Sequence, residues 1–217
     1  MKLPFTSAEF FQVFAEYNRA MWPAVIALWL TTAVLLLRSV RICHSAEQSG
    51  WINVLFAVHW IWSGLVYHGM FFARVNPAAR LFAILFFTEG CFVPGVRIQQ
   101  EPLTISNGSF GCMDHSGSVA CLVCDGIPGS SPTWISQYPR VPVFAVPCPT
   151  TILKAGLLLM SVSRTPIFLI VIPIFWCVIG TSATVLLPIR ADWALAVAGF
   201  ALLGASMAPK KVGIVGP

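Results

Sequence analysis

Apolar residues in this chain come in long blocks cut by short polar stops, a pattern with neither the strict alternation of a half-buried strand nor the single stripe of a surface helix. A helix crossing a bilayer needs about 20 mostly apolar residues at about 1.5 Å rise each. Blocks of this kind cover residues 21–37, stopped by Arg38 and Arg41; 51–72, stopped by Arg74 and Asn76-Pro77; and 78–96, stopped by Arg97. Three more cover 150–162, short and carrying Lys154; 166–187; and 193–208, followed by Lys210-Lys211. Trp22, Trp51 and Trp193 stand at block starts, where interfacial aromatic anchors sit. The joints 163–165 and 188–192 are so short that they can only link antiparallel neighbours.

Before the first block, Thr6-Ser7-Ala8-Glu9 has the spacing of a capping box. Phe10, Val13, Phe14 and Tyr17 then recur at helical spacing between Gln12, Glu16 and Arg19, which predicts an amphipathic helix over 6–19 leading into Pro23. It either lies in a membrane interface or packs on the ends of a helix bundle. The apolar pattern fails between Arg97 and Val141, so residues 97–142 read as an irregular loop. The expected fold class is all-α: one polytopic transmembrane helix bundle over 1–217, with six spans and a short amphipathic helix before them. Six spans put both termini on one side, and seven would separate them. The Lys and Arg residues flanking seven spans divide evenly, so charge does not choose an orientation.

Composition agrees with the blocks. Of 217 residues, 57% are hydrophobic and 10% charged, against about 25% charged in soluble domains. An ordinary cytosolic enzyme, a disordered chain and a nucleic-acid binder are thereby excluded. The net charge of +5 comes from thirteen Lys and Arg scattered between apolar runs, with no basic patch. The expected partners are the lipid bilayer and a small-molecule solute, with no nucleic acid. There are seven cysteines, an odd number, and no spacing before residue 112 suggests a disulfide framework.

Candidate chemistry is sparse. His59, Ser63 and Tyr67 recur every four residues and share one helix face. Glu89 lies deep in the third block and Lys154 early in a later one. Ionisable groups inside a membrane are expensive and point to a pathway or binding site with a partner. One reading is a polar lining, with His59 as proton acceptor or ligand contact and Glu89 as its charge partner or in a salt bridge to Lys154. The other has His59 and Tyr67 hydrogen-bonding to neighbouring helices while Glu89 and Lys154 snorkel to the interfaces. His68 is expected on the opposite side from His59, which argues against a two-histidine metal or haem site. Cys112-x2-His115 and Cys121-x2-Cys124 have zinc-like spacing, but the five-residue gap between the pairs is short for a finger. No cofactor and no metal are expected. Pro147 and Pro149 read as a helix start with Thr150 and Thr151 capping it, and Pro166 and Pro173 as a start and a kink. Gly180 and Thr184, and Ala194 and Ala198, are small-residue pairs that mark packing faces.

Pro4-Phe5-Thr6 through Tyr17-Asn18, Trp22-Pro23-Ala24, Trp62-Ser63-Gly64-Leu65-Val66-Tyr67-His68, Phe71-Phe72-Ala73-Arg74-Val75-Asn76-Pro77-Ala78, Pro147-Cys148-Pro149-Thr150-Thr151-Ile152 and Val171-Ile172-Pro173 carry a resemblance. Together they resemble an uncharacterised bacterial multi-pass membrane-protein family, a domain of unknown function sometimes loosely labelled permease. The resemblance implies placement in the bacterial inner membrane, and no activity or catalytic residue is carried over with it. It covers roughly residues 1–96 and 138–207, and residues 97–137 depart from it where the family has another span. Read one base downstream, Met113-Asp114 must give tryptophan and Trp134-Ile135 must give glycine. One allowed codon choice across 107–136 gives a polar turn followed by about 19 apolar residues, the length of one span. Residues 97–137 therefore read as the frameshifted translation of a lost span.

Three functions follow as expectations: a small permease-like or solute-handling protein, a non-transporting membrane scaffold or assembly subunit, and an intramembrane enzyme using His59 and Glu89 without a visible nucleophile. A permease requires a water-accessible cavity lined by the polar stripe, and a scaffold requires that stripe to be paired between helices.

Overall fold

A computed structural model describes residues 3–41, 46–95, 138–143, 145–159, 166–187 and 193–207. These contain six α-helices: α1 (Ser7–Arg41), α2 (Ala46–Trp62), α3 (Ala79–Phe92), α4 (Pro147–Leu159), α5 (Phe168–Leu186) and α6 (Trp193–Met207). The frameshift reading of 97–137 and the zinc-like cysteine pairs lie outside the described residues.

The first turn forms as its spacing dictates. The Thr6 N–H donates to Glu9 Oε2 at 2.7 Å and the Glu9 N–H donates to Thr6 Oγ1 at 3.2 Å, closing the capping box. The Thr6 backbone N–H, and after it the Thr6 hydroxyl, hold the Glu9 carboxyl below its ordinary pKa. The separate amphipathic helix over 6–19 does not appear as an element of its own. α1 continues without a break for 35 residues with Pro23 inside it. Proline removes one backbone donor there. Tertiary bonds hold both halves: Tyr17 and Asn18 on one side of Pro23 and Thr32 on the other are tied to different parts of the chain.

α2 runs directly into a π-helical segment, Ser63–Phe71, and a short 3-10 turn, Phe72–Arg74. Each π turn closes on the fifth residue, so every residue advances less than the 100° of an α-helix. Together α2 and its π extension pack along α3, and two glycines set how closely. A Cβ on Gly64 would stand 2.8 Å from the Ala83 carbonyl oxygen, and one on Gly90 would stand 3.0 Å from that of Ala57. The backbones meet directly at both points. α4 packs on α5 and α6, and α5 on α6, where a Cβ on Gly180 would meet Leu195 Cδ1 at 2.3 Å. Ala198 is buried in the core, so the small residues Gly180 and Ala198 do mark packing faces.

The first turn of α4 includes Pro147, Pro149, Thr150 and Thr151. The two threonines are inside the helix and not at its cap, because the helix begins three residues before the expected start. Residues 138–143, placed in the irregular loop by sequence, are held against α1: the Asn18 side-chain amide donates to the carbonyls of Pro139 at 2.7 Å and Val141 at 2.9 Å.

Among the described residues a mainly apolar core also encloses polar groups, while rows of large apolar side chains stay exposed. Asn18, Thr32, Asn53, His59, Ser63, His68, Glu89, Thr150, Thr151 and Lys154 are buried. Trp22, Ile26, Leu30 and Val34 on α1, Val171, Phe175 and Val178 on α5, and Val197, Phe200 and Leu203 on α6 face outward. Among the described residues one helical run, Asn53–Arg74, is long and apolar enough to cross a bilayer, and Phe168–Ala183 and Trp193–Met207 are shorter apolar helices.

Candidate functional site

The stripe begins on α2. His59 is fully buried; its Nδ1 lies 2.8 Å from the Leu55 carbonyl oxygen, one helical turn back, and its Nε2 lies 3.3 Å from Thr32 Oγ1 on α1. Four residues on, the Ser63 hydroxyl donates to the Ala145 carbonyl oxygen at 3.0 Å and stands 3.4 Å from Thr150 Oγ1 on α4. The Ala145 carbonyl also accepts from the Tyr17 hydroxyl at 3.4 Å, and the Tyr17 oxygen accepts from Trp62 Nε1 at 2.8 Å. Ala145 adopts φ 68°, a left-handed conformation that costs a residue with a Cβ about 1–2 kcal/mol. That turn delivers its carbonyl to two donors from two helices.

Tyr67 lies in the π segment, stacked on Phe14 with ring centres 5.6 Å apart and edge-on to Tyr17 at 5.5 Å, both on α1. His59, Ser63 and Tyr67 therefore each meet a different set of neighbours, and all three are buried.

Glu89 of α3 is paired with Lys154 of α4, and each side chain is 1% exposed. The Lys154 ammonium also stands over the Trp60 ring, 4.5 Å from its centre, and Trp60 stacks on Phe86 at 4.3 Å. Of the two partners anticipated for Glu89, the structure brings up the lysine. Snorkelling to an interface is not what these two side chains do. The pair is sealed among rings, where the cation gains both a carboxylate and an aromatic face.

His68 is the residue that sequence reasoning passed over. It lies in the π segment, whose smaller advance per residue removes the basis on which it was expected opposite His59. Its ring lies 5.6 Å from Phe82, 5.0 Å from Phe86 and 5.0 Å from Trp176. It is fully buried, and neither ring nitrogen has a hydrogen-bond partner among the described residues. The only sequence signal was its place nine residues after His59. That spacing does not say what surrounds the ring.

The geometry defines a class: among the described residues, an all-helical bundle whose mainly apolar core encloses hydrogen-bonded polar groups and the Glu89–Lys154 ion pair, with rows of large apolar side chains exposed. Within that class the chain belongs to a family of unknown function, DUF6064, whose sequence profile matches residues 7–208. No curated protein and no solved structure matches the chain.

Proposed function

We propose that this chain is a polytopic membrane protein acting as a non-transporting scaffold or assembly subunit. Its composition, its buried carboxylate, ammonium and imidazoles, and its exposed rows of tryptophan, valine and phenylalanine support membrane placement. In water those outward rows would be exposed apolar surface of the kind that marks interaction or membrane faces. Against lipid they need no cover. The six spans at 21–37, 51–72, 78–96, 150–162, 166–187 and 193–208 and an inner-membrane location belong to this proposal.

One observation carries the scaffold reading. The polar stripe is used up in joining helices: His59 meets Thr32, Ser63 meets Ala145 and Thr150, Tyr67 packs on Phe14 and Tyr17, and Glu89 meets Lys154. Such contacts hold membrane helices together. The test places a single cysteine at Ser63 in a chain whose seven native cysteines are replaced. In intact membranes it should stay unreactive to a water-soluble thiol reagent, while a cysteine at the exposed Arg74 reacts. Labelling at Ser63 would overturn the scaffold reading. It would favour the second one, a small permease-like solute handler. That second reading draws on the π segment Ser63–Phe71 and on Pro173 inside α5, since interrupted helices of this sort recur at functional sites.

A further inference from the structure

Residues 138–143 lie against α1, and between the two runs a groove of about 410 Å³. Trp22, Val25, Ile26 and Trp29 of α1 form one wall, and Tyr138 and Val143 form the other. Asn18 stands at the N-terminal end of the α1 wall, and its side-chain amide brings two arginines to that end. The amide donates to the carbonyls of Pro139 at 2.7 Å and Val141 at 2.9 Å, on either side of Arg140. Peptide geometry then keeps the Arg140 Cα within about 6 Å of the amide nitrogen. Arg19 follows Asn18 directly and precedes Ile26 by two helical turns, so it stands on the same line of the helix as that wall residue. Both arginines are exposed. Glu16, the acid nearest to Arg19 along α1, is drawn to Arg74 at 3.4 Å. From Asn18 to Trp29 the helix rises about 16 Å, against about 15 Å for half of a bilayer's hydrocarbon core. Trp22 and Tyr138, both exposed, stand near the arginine end, as interfacial aromatic residues do.

We propose that this groove holds one anionic phospholipid, with its phosphate between Arg19 and Arg140 and one acyl chain along Trp22, Ile26 and Trp29. The proposal rests on the membrane placement proposed above. The arginines select the headgroup. Guanidinium groups bind phosphate oxygens through paired, charge-assisted hydrogen bonds. A headgroup of net negative charge gains from both cations, whereas the ammonium of a choline headgroup opposes them. The walls select the tail, since aliphatic and aromatic side chains along one leaflet's depth give an extended hydrocarbon continuous dispersion contacts. A second copy of this chain fits the groove less well. A two-fold contact through this face brings the arginines of one copy against those of the other.

The test starts by reconstituting the full chain into vesicles of phosphatidylcholine, which it should enter. Failure at that step overturns the membrane reading, and this site with it. The chain is then placed in vesicles of equal phosphatidylglycerol and phosphatidylcholine, extracted in mild detergent and weighed by native mass spectrometry. One phosphatidylglycerol should stay bound, with a preference of about 25-fold over phosphatidylcholine, about fivefold for each arginine. Arg19→Gln and Arg140→Gln should each lower the preference about fivefold and together remove it. Arg80→Gln, at the exposed start of α3, changes the net charge equally and should leave the preference intact. Ile26→Trp, which fills the groove from an exposed wall position, should release both lipids, and it carries the test if the arginine variants lose their helical circular dichroism. Insertion with equal retention of the two lipids overturns this site alone. A preference that survives the double arginine variant, an equal fall in Arg80→Gln, retention in Ile26→Trp, release of the lipid by inorganic phosphate, or the mass of two chains without lipid would each overturn it as well.

Discussion

The Glu89 carboxylate and the Lys154 ammonium stand together with almost no exposure. Removing two charges from water costs several kcal/mol per ion, and their attraction returns this only when both partners stay. Lys154→Met should therefore destabilise the bundle by about 3–5 kcal/mol, because it leaves the carboxylate buried alone. Adding Glu89→Leu to the same chain should recover most of that loss, with Trp60 and Phe86 packing on the new side chains. Thermal unfolding in detergent across the double-mutant cycle reads both numbers, and equal, additive losses would show that the pair is not coupled. Ser63→Ala should cost less, about 0.5–1.5 kcal/mol. The Ala145 carbonyl keeps its bond from Tyr17, and only the longer contact to Thr150 Oγ1 is lost beside it.

Along the elements, close approach matters more than propensity. Gly64→Ala should cost about 1–3 kcal/mol, the range for overpacking, because the new methyl would press on the Ala83 carbonyl and the Phe87 backbone nitrogen. Backbone atoms of a packed helix cannot turn aside as a side chain can. Gly204 in α6 is the contrast: nothing lies within 4 Å of its absent Cβ. Gly204→Ala should stabilise α6 by about 0.5–1 kcal/mol through the lower entropy of the unfolded chain. Opposite signs in melting temperature check the pair. At the start of α1, Glu9 contributes through its ionised form. Its pKa is lowered in the folded chain, so its support for the first turn is present above the ordinary carboxylate range and lost as pH falls through the lowered value. Hydrogen-exchange protection of the Thr6 and Glu9 amides should drop with acid in the native chain and be flat with pH in Glu9→Gln.

At the scale of the whole molecule, rows of large apolar side chains are exposed while several polar groups are buried. On the membrane reading proposed above, the chain should be extracted only with detergent, and recovery of most of it in a salt-washed soluble fraction would sink that reading. The gene bears on residues 97–137: if that segment is a frameshifted span, the nucleotide sequence one base downstream should run without a stop through about 19 apolar codons. A stop or polar text in that frame would end the idea.

What the sequence determined by itself was local. Thr6 and Glu9 are three residues apart, so their capping box could be read off and it formed. Helix α3 and the two C-terminal helices lie within a few residues of the expected blocks, since apolar run length and a polar stop need no knowledge of neighbours. Even the Glu89–Lys154 pair was one of two anticipated partnerships. Their deep burial could not be read, because depth along a helix does not tell which face is sealed by another helix. The rest was decided in three dimensions. Pro23 sits inside one long helix because Asn18 and Thr32 on either side of it are tied to distant residues. The π segment at Ser63–Phe71 has no signature in its sequence. It lies where Gly64 brings the helix onto the backbone of α3. His68 carried no signal beyond its spacing from His59, because an orphaned imidazole is defined by what fails to surround it. Phe82, Phe86 and Trp176 come from two other helices, and only their packing leaves its nitrogens without partners.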